Sequence, residues 1–376
     1  MSRSSLDEHF GYITDAVRLD AYRRAVESVV HLGMTVVDLG CGSGVLGLMC
    51  LRAGAAKVTA IDNSSMIEAA RMVYDAAGFG GRVELIRGMS TEVTAAEPAD
   101  VVICDQVGYL GFDAGIVQYL EDARRRFLKP GGVLIPSKID LDLAGIESEK
   151  CYAEVSRWRA ESLAPEFRGL GRFAENVKCP VTLERAEVAA GPAELGSIDL
   201  REDAPDYHCW RAELKCERDA TLHGLAGWFR CELSEGVWMT NSPLAEERIQ
   251  RPQAFLPLAE PVRAKAGDSI GCTIMARPKE GVLAWVVEAS GKRQSHSTLN
   301  GMLLGWRDLG AGNPLAVPRL NREGEARRAV LSYCDGVRSV AEIEELVWRE
   351  YPGLMPTRQA LSDVVVRTLS TGAELD

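Results

Sequence analysis

The chain has 376 residues, of which 46% are apolar and 26% charged, a composition typical of soluble globular proteins with two or three domains. Its formal charge of −11 disfavours nucleic acid as a partner, because such interfaces neutralise phosphates with cations. There is no apolar run long enough to span a membrane, and residues 1–10 lack the apolar core of a signal peptide. The ten cysteines form no C-x-x-C pair, which predicts no metal site and favours a cytoplasmic location.

The first predicted element is a helix over residues 6–30. Its apolar stripe repeats every four residues, at Val17, Ala21, Ala25 and Val29. Arg18 and Tyr22 are also four residues apart and lie on an adjoining face. This periodicity by itself is equally typical of an amphipathic helix that has no functional role.

Residues 35–137 alternate predicted strands and helices, which indicates a parallel, doubly wound α/β sheet. Strands are expected at 35–38, 58–62, 83–87, 100–104 and 132–135, and helices near 44–53, 64–77 and 115–128. Ligands of such sheets bind beyond the carboxyl ends of the strands. The residues that follow each strand are therefore the candidates for a binding site.

The first strand runs directly into a glycine-rich turn, Val-Val-Asp-Leu-Gly-Cys-Gly-Ser-Gly over residues 36–44. Its spacing is G-x-G-x-G, not the G-x-G-x-x-G of dinucleotide binders. Glycines let the backbone turn sharply and approach a ligand, and the helix that follows favours an anionic group at its N-terminus. The second strand ends in Asp62, which is placed to accept hydrogen bonds from ribose hydroxyls. The glycines alone also fit a nicotinamide or flavin enzyme, or a turn without a ligand.

The character of the sequence changes near residue 138. Short β-like runs joined by turn residues predict an antiparallel barrel or sandwich over residues 138–306. Glycines and prolines indicate a linker at 307–317, and residues 318–376 are again helical. Within that last segment, Ser339 and Glu342 have the spacing of a helix capping box.

Residues 9–288 resemble the protein arginine methyltransferases, which use S-adenosylmethionine (SAM). The N-terminal helix fits the family pattern H-x-x-M-L-x-D-x-x-R-x-x-x-Y at His9, Asp15, Arg18 and Tyr22, with Tyr12-Ile13 in place of Met-Leu. Residues 36–44 fit V-L-D-V-G-C-G-T-G, and residues 240–243 resemble the barrel motif S-T-S-P. The resemblance implies an α/β fold: a Rossmann-like class I methyltransferase domain with its N-terminal helix (1–137), followed by an antiparallel β-barrel (138–306).

The same resemblance implies SAM as the cofactor and requires no metal. Arg18 would pair with the methionyl carboxylate, since a guanidinium binds a carboxylate bidentately. Asp62 would hold the ribose, and residues 88–92 would meet the adenine. The complete set of expected cofactor residues is Arg18, Asp38, Gly40, Cys41, Gly42, Gly44, Asp62, Asn63, Ser90, Thr91, Glu92 and Asp105.

The loop after the fourth strand departs from the family pattern. The two glutamates that grip a guanidinium correspond to Asp105 and Ala114, with Asp113 beside the latter, and the family's Thr-His-Trp histidine falls at Arg248. A guanidinium clamp with shorter carboxylates is displaced by ~1–2 Å, which costs catalysis heavily. We expect Asp105, Asp113 and Arg248 to be the catalytic residues, acting on arginine, another amine, an amide or a hydroxyl. Asp113 is equally well placed to cap a helix that begins at Ala114.

The C-terminal segment resembles a second family. Residues 335–343, Asp-Gly-Val-Arg-Ser-Val-Ala-Glu-Ile, match the D-G-x-x-S-V-x-E-I motif of PqqD-like domains, which are small winged-helix modules that recognise peptides. The resemblance implies that residues 318–376 bind a leader peptide. A helical cap that binds no peptide is the alternative.

Together these patterns predict a SAM-dependent methyltransferase that modifies a peptide, a ribosomally made natural-product precursor, recognised through residues 318–376. Two alternatives stay open: N- or O-methylation of a free small molecule, and a SAM-binding scaffold with a degenerate active site. The family usually dimerises through an arm inserted in the barrel. Residues 150–185 are the expected arm, so we expect a homodimer.

Overall fold

The computed structural model describes residues 5–94 and 97–373, which form two compact units, Met1–Leu303 and Leu304–Asp376. The outer ends of the expected domains, residues 1 and 376, lie outside the described residues. The first unit contains both the sheet and the barrel, and one continuous hydrophobic core runs through them. Among the described helices, none is long and apolar enough to span a membrane.

The N-terminal segment forms two helices, α1 (Ser5–Thr14) and α2 (Ala16–Val29), so the expectation of one helix over 6–30 was wrong. Asp15 causes the break, because its Oδ1 accepts a hydrogen bond from the backbone N–H of Arg18 at 3.1 Å and so caps α2. Its Oδ2 accepts from the backbone N–H of Gln250 at 2.6 Å, which ties the break to the barrel. Helix α2 buries both Arg18 and Tyr22.

The α/β part is a five-stranded sheet in the order β3-β2-β1-β4-β5, and every neighbouring pair is parallel. Its elements are β1 (Thr35–Leu39), α3 (Val45–Arg52), β2 (Lys57–Asp62), α4 (Met66–Ala76), β3 (Val83–Arg87), β4 (Ala99–Cys104), α5 (Ile116–Arg126) and β5 (Leu128–Ile135). The parallel α/β sheet is thus confirmed, as are all its strands. Chain order reverses between β1 and β4, which opens a crevice at their carboxyl ends.

The barrel part begins at β6 (Lys138–Ile146) and consists of two antiparallel sheets, in the orders β7-β12-β10-β6-β8 and β15-β14-β13-β9, with β11 paired to β10. The strands are β7 (Cys179–Val181), β8 (Val188–Asp199), β9 (His208–Lys215), β10 (Ala220–Ser234), β11 (Val237–Thr240), β12 (Gln253–Ala264), β13 (Ser269–Arg277), β14 (Val282–Ala289) and β15 (Lys292–Ser297). Trp285 joins the sheets, because its buried indole N–H donates to the carbonyl of Pro257 at 2.9 Å.

A helical excursion interrupts the barrel between β6 and β7. It contains α6 (Glu149–Ser156), α7 (Pro165–Arg168) and α8 (Gly171–Ala174). We call residues 150–185 the arm, as defined from the sequence. The side chain of Phe167 is 54% exposed there.

The second unit contains α9 (Trp306–Ala311), α10 (Arg322–Ser332), α11 (Val340–Glu350) and α12 (Arg358–Gly372). Helix α9 occupies much of the expected linker at 307–317. The predicted capping box is confirmed: the backbone N–H of Ser339 donates to Glu342 at 2.8 Å, and Ser339 caps α11 in return. The described part of this unit contains no strand, so the wing of a winged helix is not seen there.

Candidate functional site

A cavity of about 370 Å³ lies beyond the carboxyl ends of β1, β2 and β4. The sheet, the N-terminal helices and the barrel part all contribute to its walls. The lining residues are Glu8, His9, Tyr12, Arg18, Gly40, Cys41, Gly42, Ser43, Val45, Leu46, Asp62, residues 105–109, Asp113, Ala114, Lys178 and Arg251. The structure therefore brings Arg18, Gly40, Gly42, Asp62, Asp105 and Asp113, which the sequence marks in separate motifs, to the wall of one cavity.

The glycine-rich turn after β1 forms the floor of this cavity. Gly40 and Gly42 have φ values of +66° and +52°, a left-handed conformation that disfavours other residues. A Cβ on Gly42 would lie 2.3 Å from Cε1 of His9, and one on Gly40 would lie 2.4 Å from Nε2 of Gln106. Glycine is thus required where the backbone borders the cavity. Gly44 has another role, because it is the N-cap of α3 and packs on the Tyr74 ring outside the lining.

Asp62 is held rigidly at the end of β2. Its Oδ2 accepts from the backbone N–H of Gly42 at 2.8 Å, and its Oδ1 accepts from the backbone and hydroxyl of Ser64 at 2.8 and 2.7 Å. The carboxylate therefore faces the cavity in a fixed orientation, as a hydrogen-bond acceptor for hydroxyl groups should.

A second cavity of about 140 Å³ shares Gly40, Asp62 and Gln106 with the first. Its other lining residues are Leu39, Ile61, Asn63, Gly88, Met89, Ser90 and Tyr119. Asn63 and Ser90, two of the expected cofactor residues, therefore line this second cavity. Thr91 and Glu92 are exposed and are not among the lining residues, so the structure does not place them in the site. Tyr119 on α5 was missed, since no motif marks a helix position of this kind.

Asp38 lies beneath the turn and not in either cavity lining. Its Oδ2 accepts from the backbone N–H of Gly47 at 2.8 Å, and its buried Oδ1 has no hydrogen-bond partner among the described residues. Burial raises the pKa of Asp38 to about 7, although the Gly47 hydrogen bond acts in the opposite direction. The structure thus makes Asp38 a positioning residue that links β1 to α3, instead of a cofactor ligand.

This buried carboxyl gives a prediction for stability. Because its pKa is raised on folding, the folded chain holds a proton that the unfolded chain has lost between about pH 4 and 7, and the free energy of unfolding falls as pH rises through that window. Asn cannot titrate, so Asp38→Asn should gain stability relative to wild type by on the order of 4 kcal/mol from pH 4 to pH 8. Urea unfolding at a series of pH values measures this, and parallel curves for the two proteins would contradict it.

Asp105 is the centre of the cavity's polar network. Its Oδ2 accepts from Nε of Arg18 at 2.7 Å and lies 3.3 Å from Nη2 of Arg251, while its Oδ1 accepts from the Tyr22 hydroxyl at 2.9 Å. Burial alone would raise the pKa of the Asp105 carboxyl, but the charges of Arg18 and Arg251 outweigh this and hold it below its usual range. Asp105 is therefore ionised and binds two guanidinium groups.

Asp113 also lines the cavity, but both of its oxygens have partners. Oδ1 accepts from the backbone N–H of Leu110 at 2.8 Å, and Oδ2 forms an ion pair with Lys178 of the arm. The expected helix cap was wrong, because α5 begins at Ile116 and Gly115 occupies the N-cap position. Asp113 instead closes the loop after β4 and binds a lysine.

Arg248 is not where a catalytic residue should lie. Its guanidinium donates to the carbonyl of Leu183 at 3.1 Å and lies 4.0 Å from Glu184, and it is not among the cavity's lining residues. Arg251, three residues later, reaches the cavity instead and contacts Asp105. Matching the family motif to the sequence did not identify Arg251, because short loops before a strand tolerate shifts of a few residues.

Three comparisons agree with this architecture. The family model described as ribosomal protein L11 methyltransferase (PrmA) matches residues 22–143. Protein arginine N-methyltransferase 6 of Xenopus laevis is 26% identical over 74% of this chain and 85% of its own length. Protein arginine N-methyltransferase 1 of Dictyostelium discoideum is 27% identical over 72% of this chain and 82% of its own length.

A solved structure shares the fold. The Trypanosoma brucei PRMT1 enzyme-prozyme heterotetrameric complex with AdoHcy superposes with a TM-score of 0.68, covering 77% of this chain and 97% of that chain at 22% identity. The chain is a SAM-dependent methyltransferase. More specifically, it is similar to the protein arginine methyltransferases and has their combination of a Rossmann-like domain and a β-barrel.

The residues of the cavity fit SAM. Gly40 and Gly42 bring backbone without a Cβ to the cavity, and the fixed Asp62 carboxylate and the buried Arg18 guanidinium line it as well. When bound, SAM supplies an electrophilic methyl group. Arg18 would bind its carboxylate and Asp62 its ribose, and Cys41 also lines the cavity.

Asp62 gives a direct test of this assignment. Asp62→Ala removes the acceptor for two ribose hydroxyls and should weaken SAM affinity at least about tenfold, because the hydroxyls would be left without a partner. Calorimetry with SAM measures the effect. The matched control is Asp75→Ala at the end of α4, which should leave the affinity as it is, and unchanged affinity in Asp62→Ala would remove this residue from the site.

Proposed function

We propose that the chain methylates a peptide that enters the cavity from the barrel side, with residues 318–376 recognising a separate segment of the same peptide. The observation that carries this proposal is the set of residues that line the site. The lining extends beyond the expected cofactor residues to Asp113 of the loop after β4, Lys178 of the arm and Arg251 just before β12. That extension gives room for an acceptor group beside the methyl donor.

The loop residues have distinct proposed roles. Asp105 would orient Arg18 toward the cofactor and Arg251 toward the acceptor, since it contacts both guanidinium groups. Asp113 would fix Lys178 in the same way. Catalysis would then consist of positioning and of electrostatic stabilisation by groups that are already in place before the substrate binds.

Two observations support a peptide substrate. The curated relatives are named as protein arginine or histone-arginine methyltransferases, so proteins of this architecture act on polypeptides. The second unit also exposes apolar side chains next to its PqqD-like motif: Val337 is 85% exposed and Val340 is 40% exposed. Such side chains are suited to contact a peptide, whose binding buries them.

The experiment uses the full chain, SAM with a labelled methyl group, and peptides encoded beside its own gene. We expect formation of S-adenosylhomocysteine and of a labelled peptide, and a much lower rate when residues 318–376 are present but Val337 is replaced by Asp. Label in a free small molecule only would favour the small-molecule alternative. SAM binding with no S-adenosylhomocysteine above the blank would favour the non-catalytic scaffold.

Assembly through the arm is a further prediction. The arm carries the exposed Phe167 and Leu170, apolar side chains that a partner surface would cover. We expect a homodimer at micromolar concentration, and Phe167→Asp should shift it toward monomer by placing a charge in the interface. Light scattering gives the mass of both proteins. A monomeric wild-type chain would contradict the prediction.

A further inference from the structure

Asp105, Asp113, Lys178 and Arg251 line the part of the cavity that we call the acceptor wall, and both of its carboxylates are already paired with cations. Each oxygen of Asp105 already has a donor: the Tyr22 hydroxyl on Oδ1, and Arg18 and Arg251 on Oδ2. Each oxygen of Asp113 is likewise engaged, by the backbone of Leu110 and by Lys178. Their side chains are only 11% and 8% exposed.

The cations of the same wall have donors in excess. Lys178 has three N–H donors, of which Asp113 takes one. Arg251 has five, and its hydrogen-bond partners among the described residues are the carbonyl of Val107 and Asp105. Both residues line the cavity, and their side chains are 22% and 9% exposed. The two cations therefore keep N–H donors that no described hydrogen bond uses.

An incoming guanidinium or ammonium group would meet this wall unfavourably. At Asp113 it would lie beside the Lys178 ammonium, and at Asp105 it would lie beside the guanidinium groups of Arg18 and Arg251. Like charges that share one carboxylate in a poorly hydrated site repel each other. A carboxylate can instead accept hydrogen bonds from the N–H donors of Lys178 and Arg251.

We propose that the group methylated is a carboxylate of the peptide, held by Lys178 and Arg251. This rests on the proposed function and specifies its acceptor. In the reaction, a carboxylate oxygen forms a bond to the methyl carbon as the carbon–sulfur bond of SAM breaks. Sulfur keeps the electron pair, and the products are a methyl ester and S-adenosylhomocysteine. No proton has to be removed, so the wall needs no general base.

Binding measurements test the acceptor class without turnover. Three acetylated and amidated pentapeptides, identical except for a central Glu, Gln or Arg, are titrated by calorimetry into the full chain saturated with S-adenosylhomocysteine. We expect the Glu peptide to bind at least about tenfold more tightly than the Gln peptide, and the Arg peptide to bind weakest. Tightest binding of the Arg peptide, equal binding of all three, or no detectable binding of the Glu peptide would overturn the proposal.

Lys178→Met removes the charge but keeps a side chain of similar length. This substitution should weaken binding of the Glu peptide at least about tenfold. It should strengthen binding of the Arg peptide, because Asp113 is then free to bind the guanidinium group. The control is Lys279→Met, since Lys279 is also paired with acids, Glu121 and Asp206, but lies outside the cavity lining. It should keep the wild-type order of affinities. An unchanged order in Lys178→Met would overturn the role of this lysine.

The chemistry of the product separates this proposal from the function on which it rests. A methyl ester on the labelled peptide is released as methanol by mild base, whereas methyl groups on arginine or amide nitrogen stay attached. Base-labile label supports the carboxylate. Base-stable label overturns the carboxylate and leaves peptide methylation standing, while the absence of any transfer counts against both.

Discussion

The Asp105→Asn variant should lose at least about tenfold in turnover, equivalent to ~1.4 kcal/mol in the barrier. Asn keeps the size of the side chain and can still accept from Tyr22, but it has no charge to hold Arg18 and Arg251 together. Those guanidinium groups then repel each other at the centre of the cavity, and Arg251 is the one free to move toward solvent. Misplacement of an acceptor-binding group by about 1 Å is costly to catalysis.

The same substitution should also reduce stability, because it leaves two nearly buried cations without their shared anion, a change that costs on the order of 3 kcal/mol. Thermal unfolding therefore accompanies the kinetics. Asp105→Glu keeps the charge and should retain more turnover than Asn, which a purely structural role would not require. Asp203→Asn is the control, since Asp203 also pairs with two arginines, Arg124 and Arg125, but at the surface. Wild-type turnover in Asp105→Asn would contradict the role of this carboxylate.

Gly42→Ala should weaken SAM affinity by at least about tenfold and by more if the turn shifts as a whole. The new methyl group would be 2.3 Å from the His9 ring, so either the ring or the turn must move. Alanine at φ +52° also adds backbone strain of about 1 kcal/mol. Because the Gly42 N–H holds Asp62, a shifted turn would also move the carboxylate that faces the ribose.

Gly78→Ala is the control variant, because it adds backbone strain without a steric contact. Gly78 has φ +78°, and a Cβ there would have no heavy atom within 4 Å. Both alanine variants should lose a similar amount of stability in denaturant unfolding, but only Gly42→Ala should lose SAM affinity by calorimetry. Equal SAM affinity of the two variants would show that the turn tolerates a side chain at the cofactor.

The proximity of Gly42 and Asp62 could be predicted from sequence because both residues follow strands within one local unit. Gly42 and Asp62 are 20 residues apart, and the β1–α3–β2 connection brings them together. Asp15 shows the limit of periodicity: the apolar stripe begins only at Val17, and it does not reveal that the Asp15 carboxylate caps α2 and so separates it from α1. A cap competes with helix continuation through hydrogen bonds that an apolar pattern does not record.

The acceptor wall could not be predicted in the same way. Lys178 and Arg251 reach the cavity only because the barrel packs against the sheet, and no motif marks either residue. The family pattern favours Arg248, and not Arg251, as the arginine of the site. The geometry depends on where the chain turns before β12, which short-range sequence signals do not determine.

Lys178 and Phe167 belong to the same excursion from the barrel, so one stretch of chain supplies both a cation of the acceptor wall and the side chain expected to meet a second subunit. A second subunit that binds the arm would also restrain the segment that positions Lys178. Catalytic efficiency per subunit would then vary with enzyme concentration, rising through the range in which subunits associate. Dilution below that range would then lower the catalytic efficiency of each subunit, because no second subunit would restrain the segment that carries Lys178.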